Sequence, residues 1–150
     1  MPSSRSFRRK HALAHHARRR VYLVMDNVNG LPKQERLCSL HAVRRLFADG
    51  VSGFVYPFRY TTYIEKSTTT SVEVLFSVPK RNHKRANKRN LLRRRTKEAY
   101  RLHKQPLWQR AEMQGVAVDL SLVYSSKEVL SYKAIEHAIN KIIDEVAQRC

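Results

Sequence analysis

Apolar residues recur every three or four positions in some parts of this chain and every second position in others. Each spacing predicts a different kind of element. A spacing of three and four predicts a first helix, which Ser39 can cap and Gly50 ends. The same spacing predicts a last helix after Ser131. The apolar positions are Leu40, Val43, Leu46 and Phe47 in the first helix, and Tyr132, Ile135, Ile139, Ile142 and Val146 in the last.

A period of two in the apolar residues predicts three strands between these helices. The first runs from Phe54 to Glu65, and Pro57 within it favours an edge or a bulge because proline has no N–H for the ladder. The second runs from Val72 to Val78, and the third runs from Val116 to Tyr124. Between Pro106 and Gly115 we expect a connection with a helical turn around Trp108.

A central helix from Lys88 to His103 is predicted between the second and third strands, because this segment holds good helix formers and no Gly or Pro. The predicted order is therefore α-β-β-α-β-α, which is typical of an α+β two-layer sandwich with a small mixed β-sheet packed with three helices. The general handedness rule for parallel strands would make the crossover through the central helix right-handed.

The central helix divides into two faces. Leu92, Thr96 and Ala99 can pack on a sheet, whereas Arg89, Arg93, Lys97 and Arg101 form an i, i+4 row on the other side. Like charges at this spacing destabilise an isolated helix by about 0.2–0.5 kcal/mol per pair. A phosphate bound between them would replace this repulsion with attraction.

The net charge of the chain points to a polyanionic partner. Its 150 residues hold 30 Lys and Arg against 12 Asp and Glu, a formal charge of +18, and twelve of the basic residues lie in the segment 80–104 beside one acid, Glu98. A solvated surface of mixed sign is the alternative, but the excess of basic residues favours binding to nucleic acid. With 42% hydrophobic residues, the chain is long enough for one domain with a core.

The first 24 residues differ from the rest in composition. They hold seven Lys or Arg and no acid, which predicts a disordered basic arm in front of a single RNA-binding α+β domain at 25–150. An organellar transit peptide and translation from Met25 are two other interpretations of this segment. Without the arm, 23 basic residues against 12 acids still leave a charge of +11, so the interpretation of the domain does not depend on it.

Several classes of protein are disfavoured by what the sequence lacks. No apolar run approaches the roughly 18–20 residues that span a bilayer, so we expect no membrane association. The two cysteines, Cys38 and Cys150, show no CxxC spacing, and no secretory segment precedes them, so neither a zinc site nor a disulfide framework is predicted. The absence of a disulfide framework favours a reducing, cytoplasmic location. The acids are scattered and no catalytic motif is present, so we expect neither a catalytic site nor a metal site on the protein.

Four segments, in this order, carry a resemblance to a known family. They are LPKQERL at 31–37, SLHAVRRLFADG at 39–50, FSVPKR at 76–81 and KRANKRNLLRRRTKEAYR at 84–101. Together they resemble the bacterial ribonuclease P protein component. The sequence departs from the family at Leu91, where a second arginine is usual, and at Val43, where a phenylalanine is frequent.

The resemblance implies a noncatalytic subunit that assists an RNA enzyme in removing the 5′ leader from precursor tRNA. Its partners would be the catalytic RNA subunit, which would hold the Mg²⁺ ions, and precursor tRNA, with no obligate protein partner. It also implies a left-handed crossover through the central helix. A ribosomal-type structural RNA-binding protein without a role in cleavage is the alternative, but it gives no reason for this order of motifs.

The resemblance also assigns two groups of site residues. The leader would lie in a cleft beside the sheet and contact Phe47, Phe58 and Tyr60, although the helical spacing alone favours a place in the core for Phe47. The residues implied to bind the RNA subunit are Lys80, Arg81, Lys84, Arg85, Lys88, Arg89, Asn90, Arg93, Arg94, Lys97 and Arg101.

Overall fold

The computed structural model describes residues 30–150, so the predicted arm at 1–24 and the alternative start at Met25 lie outside the described residues. A short 3-10 helix at Lys33–Glu35 precedes four helices and four strands. The helices are α1 (Leu40–Asp49), α2 (Ala86–His103), α3 (Gln105–Gln114) and α4 (Tyr132–Arg149). The strands are β1 (Val51–Val55), β2 (Phe58–Lys66), β3 (Ser71–Ser77) and β4 (Val116–Tyr124).

The helix boundaries follow from capping residues that the sequence shows. The Ser39 hydroxyl accepts a hydrogen bond from the Ala42 N–H at the start of α1, and Ser131 caps α4 in the same way. Both predicted caps are confirmed. The predicted connection at 106–115 is wrong, because α3 fills it: Pro106 lies in the first turn, where its missing N–H costs nothing, and Gly115 ends the helix with a left-handed φ of 62°.

The predicted first strand is in fact a hairpin of two strands. β1 and β2 are antiparallel, Val55 opposes Phe58, and Tyr56 and Pro57 form the turn between them. Alternation continues across a two-residue turn without interruption, which is why the sequence pattern alone suggested a single strand. Pro57 lies in the turn, where no ladder bond is lost, rather than at an edge or a bulge.

The four strands form one mixed sheet in the order β1-β2-β4-β3, in which only β3 and β4 are parallel. The α+β class and the small mixed sheet are confirmed, with four helices instead of three. Between the neighbouring strands β3 and β4 the chain passes through α2 and α3, and the left-handed sense of this crossover stays a prediction.

The main core lies on one face of the sheet, under α2, α3 and α4. Phe58 and Tyr60 of β2 share this face with Tyr124 and Leu122 of β4, which oppose them directly in the register. The predicted stripe of α4 packs here with Ile135, Ile139, Ile142 and Val146 all buried. Each such aliphatic side chain stabilises the fold by about 1.5–3 kcal/mol.

The second face of the sheet is covered in part by α1. Leu46 of α1 is completely buried and packs here, outside the main core. At the far edge of the sheet, the Leu37 N–H donates to the Val74 carbonyl (3.0 Å), so the segment before α1 shields part of β3. The side chains of Lys104 and Glu35 form a buried ion pair (2.6 Å) that holds this segment to the junction of α2 and α3.

Candidate nucleic-acid interface

The inner face of α2 is packed as predicted. Leu92, Thr96 and Ala99 are buried together with Tyr100, and the Thr96 hydroxyl donates to the Leu92 carbonyl (2.8 Å), which satisfies it inside the helix. The basic row on the other side is only half-exposed, and Arg93 is its one member whose side chain makes no hydrogen bond, ion pair or ring contact within the described residues.

Four cations of α2 already interact with the protein itself. Arg89 Nη1 donates to the carbonyls of His83 (2.9 Å) and Lys84 (2.6 Å), and Arg95 Nη1 donates to the Leu130 carbonyl (2.5 Å). Arg101 makes a two-point contact with the Glu98 carboxylate, at 3.0 and 2.6 Å. Lys97 is half-buried with its Nζ 6.0 Å from the Phe76 ring centroid, and burial followed by the nearby Arg36 and Arg93 lowers its pKa.

The remaining basic residues of the segment 80–101, together with Asn90, form what we call the basic surface. Their side chains make no hydrogen bond or ion pair with any residue from Gly30 to Cys150. Arg93 and Arg94 border an open concavity of about 550 Å³ with Asn87, Asn90 and Lys97. The basic surface comprises Lys80, Arg81, Lys84, Arg85, Lys88, Asn90, Arg93 and Arg94.

Leu91 borders a second, larger concavity of about 700 Å³ on the outer side of α2. Its side chain is half-buried next to Leu31 and Tyr132, while Arg36 and Arg94 contribute charge at the same concavity. Leucine therefore replaces the usual family arginine with apolar surface, and guanidinium groups remain beside it.

The first half of the basic surface is a loop, residues 80–85, which we call the basic loop. The Asn82 amide donates to the carbonyls of Tyr124 (3.5 Å) and Ser125 (3.3 Å) at the end of β4. The buried His83 ring forms a hydrogen bond with the Ser126 carbonyl (2.8 Å). Two inner side chains thus hold a loop whose four cations point outward.

Two of the predicted leader-binding residues are corrected by the structure. Phe58 is 0% exposed and Tyr60 is 1% exposed, because both face the core under α4. The Tyr60 hydroxyl donates to Glu145 (2.5 Å) and accepts from Arg149 (3.1 Å), and burial followed by the Glu145 contact raises the pKa of Tyr60 to about 12. These side chains are therefore structural and offer no face to a nucleobase.

A different pair of aromatic residues is exposed on the α1 side. Phe47 of α1 is 53% exposed, as a base-stacking residue requires, and Phe54 of β1 is 59% exposed. Phe54 opposes the exposed Arg59 across the hairpin and lies on the other side of the sheet from Phe58. We call Phe47, Phe54 and Arg59 the aromatic surface. Sequence reasoning missed Phe54, and recognising the turn at Tyr56 and Pro57 would have found it.

In another part of the same side, the charges of neighbouring acidic and basic side chains balance one another. Arg45 of α1 donates to Asp119 (2.9 Å), forms an ion pair with Glu65 (3.2 Å) and lies 4.6 Å from the centroid of the Tyr63 ring. The hydrogen bond to Asp119 raises the pKa of Arg45. Burial and the nearby Asp119 raise the pKa of Glu73 on β3. Residues from three strands meet here, which no spacing along the sequence reveals.

Between Gly30 and Cys150, no group of three or more His, Cys, Asp or Glu side chains is placed to hold a metal ion. No helix in this part of the chain is long and apolar enough to cross a membrane.

Comparisons with known proteins agree with this fold. A family model described as ribonuclease P matches residues 31–147. A ribonuclease P protein component of Chlorobium phaeobacteroides is 31% identical over 131 residues, covering 80% of this chain and 90% of that protein. One from Porphyromonas gingivalis is 29% identical over 119 residues, covering 79% and 87%.

Solved structures of a Staphylococcus aureus RNase P protein share the fold. One superposes with a TM-score of 0.60 at 18% identity, covering 79% of this chain and 93% of that one. A second has a TM-score of 0.57 at 17% identity and covers 77% and 97%.

Proposed function

Because the chain belongs to the ribonuclease P protein family and is a subunit of that enzyme, we propose that it binds a catalytic RNA subunit and the 5′ leader of precursor tRNA. In this role it assists the RNA subunit in removing the leader. The two contacts would be made by different surfaces of the protein.

The unpartnered basic surface is the observation that carries this proposal. Seven cations and one amide lie on the basic loop and the outer side of α2, and no carboxylate of residues 30–150 pairs with them. Contacts between such cations and phosphates release condensed counterions, which drives association with RNA and makes it depend on salt. We assign the basic surface to the RNA subunit.

The aromatic surface would hold the single-stranded leader. Unpaired bases stack on exposed aromatic rings, and a nearby guanidinium balances the backbone charge. Phe47 and Phe54 supply the rings and Arg59 supplies the charge. Phe54 and Arg59 replace Phe58 and Tyr60 in the proposed site.

The catalytic centre is proposed to lie on the RNA subunit. Mg²⁺ bound there would activate the attacking water and stabilise the developing charge. Most of the carboxylates near the described surfaces have protein partners: Asp119 and Glu65 pair with Arg45, Glu98 with Arg101, and Glu35 with Lys104. They do not form a donor set for the ion. The free thiols of Cys38 and Cys150 fit the reducing cytoplasm, where we propose that the protein works.

Reconstitution tests the proposal. The protein alone should leave precursor tRNA uncut, and adding it to the RNA subunit at low magnesium should accelerate cleavage. Arg93→Ala should weaken binding to the RNA subunit and lower the slope of log affinity against log salt by about 0.7–0.9, because one phosphate contact is lost.

The control is Lys141→Ala, which removes one exposed positive charge from α4. It should leave both affinity and slope close to those of the wild type. If Lys141→Ala and Arg93→Ala behave alike, only total charge matters and the basic surface is not a specific interface. If the protein changes neither cleavage rate nor substrate affinity, the role in leader removal is wrong.

A further inference from the structure

The contacts of Arg89 separate it from the other cations of α2. Both N–H groups of its Nη1 nitrogen are directed at backbone carbonyls of the basic loop, those of His83 and Lys84. Hydrogen bonds from a charged donor are stronger than neutral ones. The guanidinium therefore joins the first turns of α2 to the end of the loop before it.

The basic loop needs such contacts because of its own composition. Lys80, Arg81, Lys84 and Arg85 lie within six residues, and like charges at this density repel one another. The backbone of the loop contributes only weak turns, with the N–H groups of Asn82 and His83 both directed at the Pro79 carbonyl at 3.1 and 3.3 Å. Side-chain anchors must therefore hold the loop in one conformation.

The anchors enter from two sides. Asn82 and the buried His83 fix the middle of the loop to residues 124–126 at the end of β4. Arg89 holds the carbonyls of His83 and Lys84 from the helix side. Arg93, one helical turn further along, makes no comparable contact with any residue of the described domain.

We propose that Arg89 is a positioning residue, which holds the basic loop in a preformed conformation so that its four cations meet the RNA subunit as an ordered array. This rests on the proposed binding of the basic surface to RNA. Ordering a loop before binding removes a cost that would otherwise be subtracted from the affinity. On this view Arg89 acts through the loop, whereas Arg93 acts through its own charge.

Hydrogen exchange of the free protein gives the decisive readout. Arg89→Ala should raise the exchange rate of the amides at 80–85 by roughly tenfold or more, because two charge-assisted hydrogen bonds are lost. Arg93→Ala removes the same charge and should leave these amides unchanged. Because the measurement needs no RNA, it holds even if the proposed function fails.

RNA binding supplies the second readout, with Asn82→Ala as a partner variant that changes no charge. It should loosen the loop, weaken RNA binding by roughly tenfold and leave the salt slope unchanged, since only preorganisation is lost. If Arg89→Ala leaves loop exchange as in the wild type, and its affinity loss matches that of Arg93→Ala in size and slope, Arg89 is simply another phosphate contact and the inference is wrong. Unfolding in urea should confirm that all three variants are folded.

Discussion

Arginine side chains have different partners on the two proposed RNA-binding sides of this protein. On the α1 side, Arg45 contacts Asp119, Glu65 and the Tyr63 ring, and exposed aromatic residues form the contact surface. On the outer side of α2, Arg93 and Arg94 have no partner among the described residues. A guanidinium is therefore available to RNA only where the fold brings no carboxylate or carbonyl to it.

The difference follows from where acids occur. Strands β2, β3 and β4 bring Glu65, Glu73 and Asp119 to the α1 side, and Arg45 neutralises part of that charge. The segment 80–104 holds a single acid, Glu98, which Arg101 already occupies. Charge is therefore compensated inside the protein on one side and left uncompensated on the other.

Arg45→Ala should produce the largest effect and tests whether the α1 side depends on internal pairing. It leaves the nearly buried Asp119 carboxylate without its partner. We expect a loss of about 2–3 kcal/mol in the free energy of unfolding, below the full cost of breaking a buried pair because the Arg45 side chain is 30% exposed. Urea denaturation measures this loss.

The matched control for Arg45→Ala is Arg93→Ala, which removes the same side chain from the basic surface. Its unfolding free energy should change by less than about 0.5 kcal/mol, as for most surface substitutions. Equal losses in the two variants would show that the two sides do not differ in how they use arginine.

Phe54→Ala tests whether the aromatic surface reads the leader. Loss of one stacking ring should weaken holoenzyme binding to precursor tRNA by about 1–3 kcal/mol. Mature tRNA, which has no leader, should bind as before. The affinities of both substrates measured side by side separate a leader contact from a general effect.

Met113→Ala is the control for Phe54→Ala, since Met113 is a largely exposed apolar residue on α3 outside both proposed surfaces. It should change neither affinity. An equal loss for precursor and mature tRNA in Phe54→Ala would remove Phe54 from the leader site.

The parts that local patterns determine could be predicted from sequence. The caps at Ser39 and Ser131, the buried face around Leu92 and Thr96, and the α+β class all follow from spacing within one element. The resemblance supplied the family, which composition could not. Phe47 is exposed, as a leader contact requires, and its role in binding the leader stays a prediction.

The parts that depend on pairing between elements could not be predicted. Phe58 and Phe54 are four residues apart and would share a face in one strand, but the turn at Tyr56 and Pro57 places them on opposite faces. The i, i+4 spacing along α2 likewise does not distinguish Arg89 from Arg93. Only the folded loop shows that Arg89 donates hydrogen bonds to backbone carbonyls. A face can be inferred from periodicity, but the partners of a side chain cannot.

Glu73→Gln should give the smallest effect, and its pH dependence tests whether acids on the α1 side lower the stability of the fold. Burial and Asp119 raise the pKa of Glu73 above its ordinary value of 4.5, so the folded state binds this proton more tightly than the unfolded state does. Stability therefore falls as the pH rises from 4.5 through the raised pKa, and the penalty is fully present above it. At pH 7 Glu73→Gln should be slightly more stable than the wild type, and the gain should shrink toward zero as the pH falls below 4.5 and both states become protonated. Glu112→Gln removes the same charge from an exposed site on α3, so the difference in unfolding free energy between the two variants should grow from pH 4 to pH 7. A constant difference would mean that Glu73 is solvated like a surface carboxylate. The acids of the α1 side would then not destabilise the fold, and Arg45 would not be needed to neutralise them.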